Sequence, residues 1–111
     1  MKIDKYLVND VNVIKIQSQI EYHESEELRN FLSELKNAEG SKVVFNLSGL
    51  KYSNSTILGI FFYYSKEIMS QKGMVCFCCL NPFVMSIFKA TQLDRVVKIF
   101  STESEALNAM T

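Results

Sequence analysis

The residues Val43-Val44-Phe45-Asn46-Leu47-Ser48-Gly49-Leu50-Lys51-Tyr52-Ser53-Asn54-Ser55-Thr56-Ile57-Leu58-Gly59-Ile60-Phe61-Phe62 decide how this chain folds. Lys42 to Leu47 is rich in branched and aromatic side chains, as expected of a strand buried on both faces. The glycine-bearing polar stretch that follows reads as a loop. Asn54 is a good helix N-cap, because its side-chain oxygen can accept an N–H of the next turn. From it a helix is predicted to about Lys72, with Gly73 as its stop. This order puts the Ser55 hydroxyl at the start of a helix and near the end of a strand. The first turn of a helix has unpaired N–H groups and a partial positive charge, so it tolerates an added phosphate. Ser55 therefore reads as a candidate reversible switch.

The same logic extends outward in both directions. Tyr6 to Val8 and Val11 to Ile16 read as two strands joined at Asn9-Asp10, a turn pair. Apolar residues on both faces of the second strand place it inside a sheet. Residues 24 to 37 read as a helix, with Leu28, Phe31, Leu32 and Leu35 on one stripe. Glu24, Glu26 and Glu27 early and Lys36 late complement its dipole, and Gly40 closes it. Met74 to Leu80 is a further buried strand. Asn81-Pro82 opens a short helix through Phe83 to Lys89. Val96 to Phe100 is a last strand, and Ser101 or Thr102 caps a final helix through Glu103, Ala106, Leu107 and Met110. Strands that alternate with helices after a first hairpin predict an α/β fold with a largely parallel sheet covered by helices. Right-handed crossovers would line up the helix starts, Ser55 included, along one edge of that sheet.

At 111 residues the chain fits one domain spanning 1–111. Its 48% hydrophobic content suits a packed core. Twelve basic residues balance twelve acidic ones, which argues against nucleic acid or an anionic membrane as partner. The N-terminus Met1-Lys2-Ile3-Asp4-Lys5 lacks the apolar core of a signal peptide. The longest apolar run, Ile57 to Tyr64, is too short for membrane insertion. A cytoplasmic location is the expectation.

Few residues carry chemistry. Cys76, Cys78 and Cys79 do not suggest a disulfide framework. Alternation on a strand would point Cys76 and Cys78 to one face and Cys79 to the other, so structural burial is the reading. The single histidine, His23, offers neither a metal set nor a nucleophile triad. No glycine-rich phosphate loop is present. Four consecutive aromatics, Phe61 to Tyr64, cover more than half of a helix circumference, so most serve the core and at least one tyrosine is expected at the surface as an interface anchor.

The order of these elements and residues resembles the STAS domain, the fold shared by anti-sigma factor antagonists and the cytoplasmic tails of sulfate transporters. The resemblance runs through Ile16 to Leu32, Val43 to Phe62, Lys72-Gly73, Asn81-Pro82, Ile87-Phe88, Leu93-Asp94, Ile99-Phe100 and Ser104 to Leu107, which is nearly the whole chain. It implies a mixed, largely parallel sheet of four to five strands with about four helices. In the antagonist branch it implies a partner-switching module and not an enzyme. Such a module binds an anti-sigma factor that is also a serine-protein kinase; phosphorylation of one serine releases it, and a phosphatase resets it. By this resemblance Ser55 takes the place of the accepted serine in an Asp-Ser-Ser/Thr-Gly motif, and Thr56 follows it. The implied partner-binding residues are Glu21, His23, Asn54, Ser55, Thr56 and Ile57. The kinase would supply ATP, magnesium and the base, so no cofactor belongs to this chain. Two positions depart from the motif. Asn54 replaces the aspartate, which keeps the cap but removes a charge. Ile57 replaces the glycine, and its side chain either fills the core or stands at the docking face. The alternative reading keeps the fold without the switch, as a scaffold or interaction subunit of a larger signalling or transport assembly. A small-molecule sensor or enzyme would need a polar pocket that the residues do not reveal.

Overall fold

The chain opens as a hairpin in a computed structural model that describes residues 1–35 and 39–110. β1 (Ile3–Val8) and β2 (Val11–Ile16) are joined by Asn9 and Asp10, whose φ values of 48° and 69° match a tight turn that follows strand twist. β1 starts at Ile3 rather than Tyr6 because its pairing with β2 runs on to Ile3 opposite Ile16. A 3-10 turn at Tyr22–Glu24 then leads into α1 (Ser25–Ser33). The described part of this helix is shorter than the predicted 24–37, and positions 36 and 37 lie outside the described residues.

β3 (Lys42–Asn46), α2 (Ser55–Ser70), β4 (Met74–Cys78), α3 (Pro82–Ala90), β5 (Lys98–Phe100) and α4 (Glu103–Met110) complete the described elements. Three ends differ from expectation by two residues. α2 stops at Ser70, and the left-handed residue after it is Lys72 with φ 67°, not Gly73. Gly73 is needed for another reason: a Cβ there would lie 2.7 Å from the carbonyl oxygens of Ile68 and Ser41. β4 stops at Cys78 because Cys79 turns left-handed, with φ 67°. β5 begins at Lys98, since the N–H groups of Val96 and Val97 both donate to the Leu93 carbonyl in a preceding turn.

The strands lie in the order β1-β2-β3-β4-β5, with β1 antiparallel to β2 and the other pairs parallel. Alternation along the strands divides the core into two layers. Ile14, Ile16, Val43, Phe45, Val75 and Phe77 pack against Leu28 and Leu32 of α1, Ile57, Phe61 and Ile68 of α2, and Val84 and Phe88 of α3. Val11, Val13, Val44, Cys76 and Cys78 face Ala106 and Met110 of α4. The first layer centres on edge-to-face contacts of Phe45 with Phe61 (5.3 Å between centroids) and Phe77 with Phe88 (5.3 Å), a geometry that aromatic quadrupoles favour. Three helices on one face and one on the other leave the loops after β2, β3 and β4 together at the carboxyl ends of the parallel strands.

Candidate functional site

Those three loops are tied to one another by side chains. The Gln19 amide donates to the Tyr52 carbonyl and its oxygen accepts the Lys51 N–H at 3.0 Å. Asn81 donates through Nδ2 to the Lys51 carbonyl at 2.6 Å. Gly49 sits so close to the end of β2 that a Cβ would collide with the backbone of Ile16, Gln17 and Ser18, and its N–H donates to the Ile16 carbonyl at 2.8 Å. The segment from Gly49 to Ser53 is therefore pinned on both sides before it enters α2.

Asn54 caps α2 as expected, its Oδ1 accepting the Ile57 N–H at 3.0 Å. Ser55 is the first residue of the helix and is exposed; Thr56 is half-buried. Ile57 is 0% exposed and packs in the larger core layer. Of the two placements open to it, core or docking face, its side chain takes the core, in the stripe formed with Phe61, Tyr64 and Ile68 at spacings of three and four. Just before the cap, the buried Ser53 hydroxyl has no hydrogen-bond partner.

Glu21 and His23 are exposed on the 3-10 turn that leads into α1. The turn is closed by the Glu24 carboxylate, which accepts the Glu21 N–H at 2.9 Å. That backbone bond, helped by the bond from the Met1 amino group, holds the Glu24 carboxyl below its usual range.

α1 and α2 pack side by side and leave an open groove of about 460 Å³ between them. Ser55, Thr56, Gly59, Ile60, Tyr63 and Tyr64 line one wall, and Arg29 of α1 lines the other. Gly59 leaves the middle of this wall bare, since a Cβ there would meet open space. Tyr63 is 54% exposed, whereas Tyr64 is buried, which settles which of the two tyrosines faces outward. Tyr22, Tyr52 and Phe83 add exposed aromatic surface on the three tied loops or the helices they lead into. The sequence reading missed Arg29. Its place on the same groove as Ser55 depends on how α1 packs on α2, and only its position on the polar stripe of α1 hinted at it.

The cysteines are free thiols. Cys76 and Cys78 share the α4 face as expected, but Cys79 does not cross to the other side. Its left-handed backbone turns it back toward the same layer, with Sγ 3.0 Å from the Cys78 sulfur. Burial pushes the Cys76 thiol up to about 11 and the Cys78 thiol well above its ordinary range. Among the described residues, no group of three or more His, Cys, Asp or Glu is placed to hold a metal ion, and no helix is long and apolar enough to cross a membrane.

A family model for the STAS domain matches residues 2–106. An anti-sigma F factor antagonist of Paenibacillus polymyxa is 23% identical over 101 residues, covering 90% of this chain and 86% of the relative. The crystal structure of a candidate anti-sigma factor antagonist from Thermotoga maritima superposes with a TM-score of 0.89 at 26% identity, covering 96% of this chain and 92% of that one. An anti-sigma-factor antagonist (STAS) domain protein from Planctomyces limnophilus superposes with a TM-score of 0.87 at 26% identity, covering 97% of each chain.

Proposed function

The chain belongs to the STAS domain family, and on that premise we propose that it is an anti-sigma factor antagonist switched by phosphorylation of Ser55. The observation that carries this reading is the exposed Ser55 hydroxyl at the start of α2, held by the Asn54 cap and sharing a groove with Arg29. In its unmodified form the chain docks a cytoplasmic anti-sigma factor that is also a serine kinase. The docking face comprises Glu21, His23, Asn54, Ser55 and Thr56, extended by Arg29 and Tyr63. The partner supplies the chemistry of transfer, and this chain supplies the acceptor hydroxyl. A phosphate adds about 1.5 to 2 negative charges at neutral pH. At Ser55 it meets the positive end of α2 and enters the groove that Arg29 also lines, so the fold tolerates it while the docking face changes in charge and bulk. A phosphatase reverses the change.

The test is site mapping on the chain purified, with its bound proteins, from its native cells under phosphatase inhibition. The expected result is a phosphate on Ser55 in the free chain and an unmodified Ser55 in the chain that retains a serine kinase. A Ser55 unmodified under every growth and stress condition, with Ser55→Asp binding the same partner as tightly as wild type, contradicts the switch. That outcome leaves a constitutive interaction subunit, a reading favoured by the amide at Asn54 where the family motif has a carboxylate.

A further inference from the structure

The thiols at the end of β4 take no part in the proposed docking. Neighbouring residues of a strand normally point to opposite faces. Here Cys79 has φ 67°, an uncommon conformation for a residue other than glycine. It brings the Cys79 sulfur to 3.0 Å from that of Cys78. Cys78 is fully buried and Cys79 is partly exposed. Burial raises the thiol of Cys78, and that of Cys76 to about 11, so neither is the first to react with an oxidant in solution, and Cys78 reacts only with the sulfur held 3.0 Å from it. Cys79 is the sulfur that an oxidant in solution reaches first.

We propose that Cys78 and Cys79 form a peroxide-responsive dithiol that closes to a reversible disulfide between adjacent residues. The Cys79 thiolate attacks one oxygen of hydrogen peroxide. The O–O bond breaks, leaving a sulfenic acid on Cys79 and a hydroxide that takes the released proton to become water. The Cys78 sulfur then attacks the sulfenic sulfur. The S–S bond forms, the S–O bond breaks, and the second water leaves with the Cys78 proton. The two thiols lose two electrons between them, and one peroxide becomes two waters. Consecutive Cα atoms are about 3.8 Å apart across a trans peptide, below the roughly 4.4–6.8 Å of ordinary disulfides. The closed ring is therefore strained and is reopened by a thiol reductant.

Ring closure also pulls on the backbone. The Cys78 carbonyl accepts the Leu47 N–H at 3.1 Å, and the Cys79 N–H donates to the Phe100 carbonyl at 3.2 Å. Faster amide exchange at Leu47 and Cys79 follows oxidation.

The experiment adds stoichiometric hydrogen peroxide to the reduced full chain and reads intact mass and mapped peptides. The expected product has lost two hydrogens, carries the bridge within the peptide containing Cys78 and Cys79, and is restored by dithiothreitol. Cys76→Ser still forms it and Cys79→Ser does not. Oxygen gained on Cys79 without a bridge, a bridge to Cys76, or a bridge between two chains overturns the proposal. Mapping on the wild-type chain decides the matter even where Cys79→Ser fails to fold. Phenylarsine oxide, which spans closely spaced thiols, gives a second reading without oxidation. One arsenical is expected on wild type and on Cys76→Ser, and equal capture by Cys79→Ser counts against the pair.

Discussion

Asn54 and Ile57 replace the charged and smallest positions of the resembled motif, and each has a definite physical role. Asn54 satisfies the Ile57 N–H through Oδ1 at 3.0 Å. Asn54→Ala is expected to lower the unfolding free energy by about 1 kcal/mol, read from urea melts. Asn54→Asp keeps the bond and adds a negative charge at the helix start, a gain of about 0.3–1 kcal/mol at low salt. Ile57 is a core residue, so Ile57→Ala is expected to cost about 2–5 kcal/mol. Ser55→Ala, at an exposed position, is expected to stay within about 0.5 kcal/mol of wild type. A large loss in Ser55→Ala with little loss in Ile57→Ala would reverse this division between docking surface and core. The cap was legible because capping depends on residues three apart. The placement of Ile57 was not, because a first-turn side chain is assigned to a face only once the helix has settled on its sheet.

Tyr63 and Arg29 both line the groove between α1 and α2. Tyr63 is largely exposed on a helix whose neighbouring aromatics are mostly buried, the setting of an interface anchor. Tyr63→Ala is expected to weaken partner binding by more than about 1 kcal/mol, with unfolding free energy changed by less than about 0.5 kcal/mol. Calorimetric titration beside urea melts separates the two effects, and unchanged affinity would remove the groove from the docking face. Most element cores were legible from periodicity and caps: Asn54 for α2, Asn81-Pro82 for α3, and Thr102, which accepts the Glu105 N–H at 3.1 Å, for α4. The ends of α2 and β4 that differed share one cause. Lys72 and Cys79 take left-handed turns that nothing in their side chains announces, and what holds them there is the packing of the elements on either side.

Across the whole molecule, the Tyr6 hydroxyl donates to both oxygens of Glu103 at 2.7 and 2.8 Å, while Asn46 donates to the same carboxylate at 2.9 Å. This network fastens β1 and β3 to α4 on the sheet face opposite the groove between α1 and α2. No sequence pattern pointed to it, because its members meet only when the sheet is assembled. Burial first, and then the Glu103 carboxylate, raise the Tyr6 phenol above its ordinary 10.0. The folded state thus favours the neutral phenol, so this contribution is fully present below pH 10.0 and is lost as the unfolded chain ionises above it. Tyr6→Phe is expected to lose about 1 kcal/mol at neutral pH and to flatten the alkaline decline in urea melts. An equally steep decline in the variant would place its origin elsewhere. The same architecture presents Ser55 at the start of α2, on a rim built from three tied loops. Switch and scaffold are separated by titrating unmodified and Ser55-phosphorylated chain, in a calorimeter, into whichever serine kinase co-purifies with the chain. A switch at Ser55 makes binding at least about tenfold weaker for the phosphorylated chain, about 1.4 kcal/mol; equal affinities would rule it out.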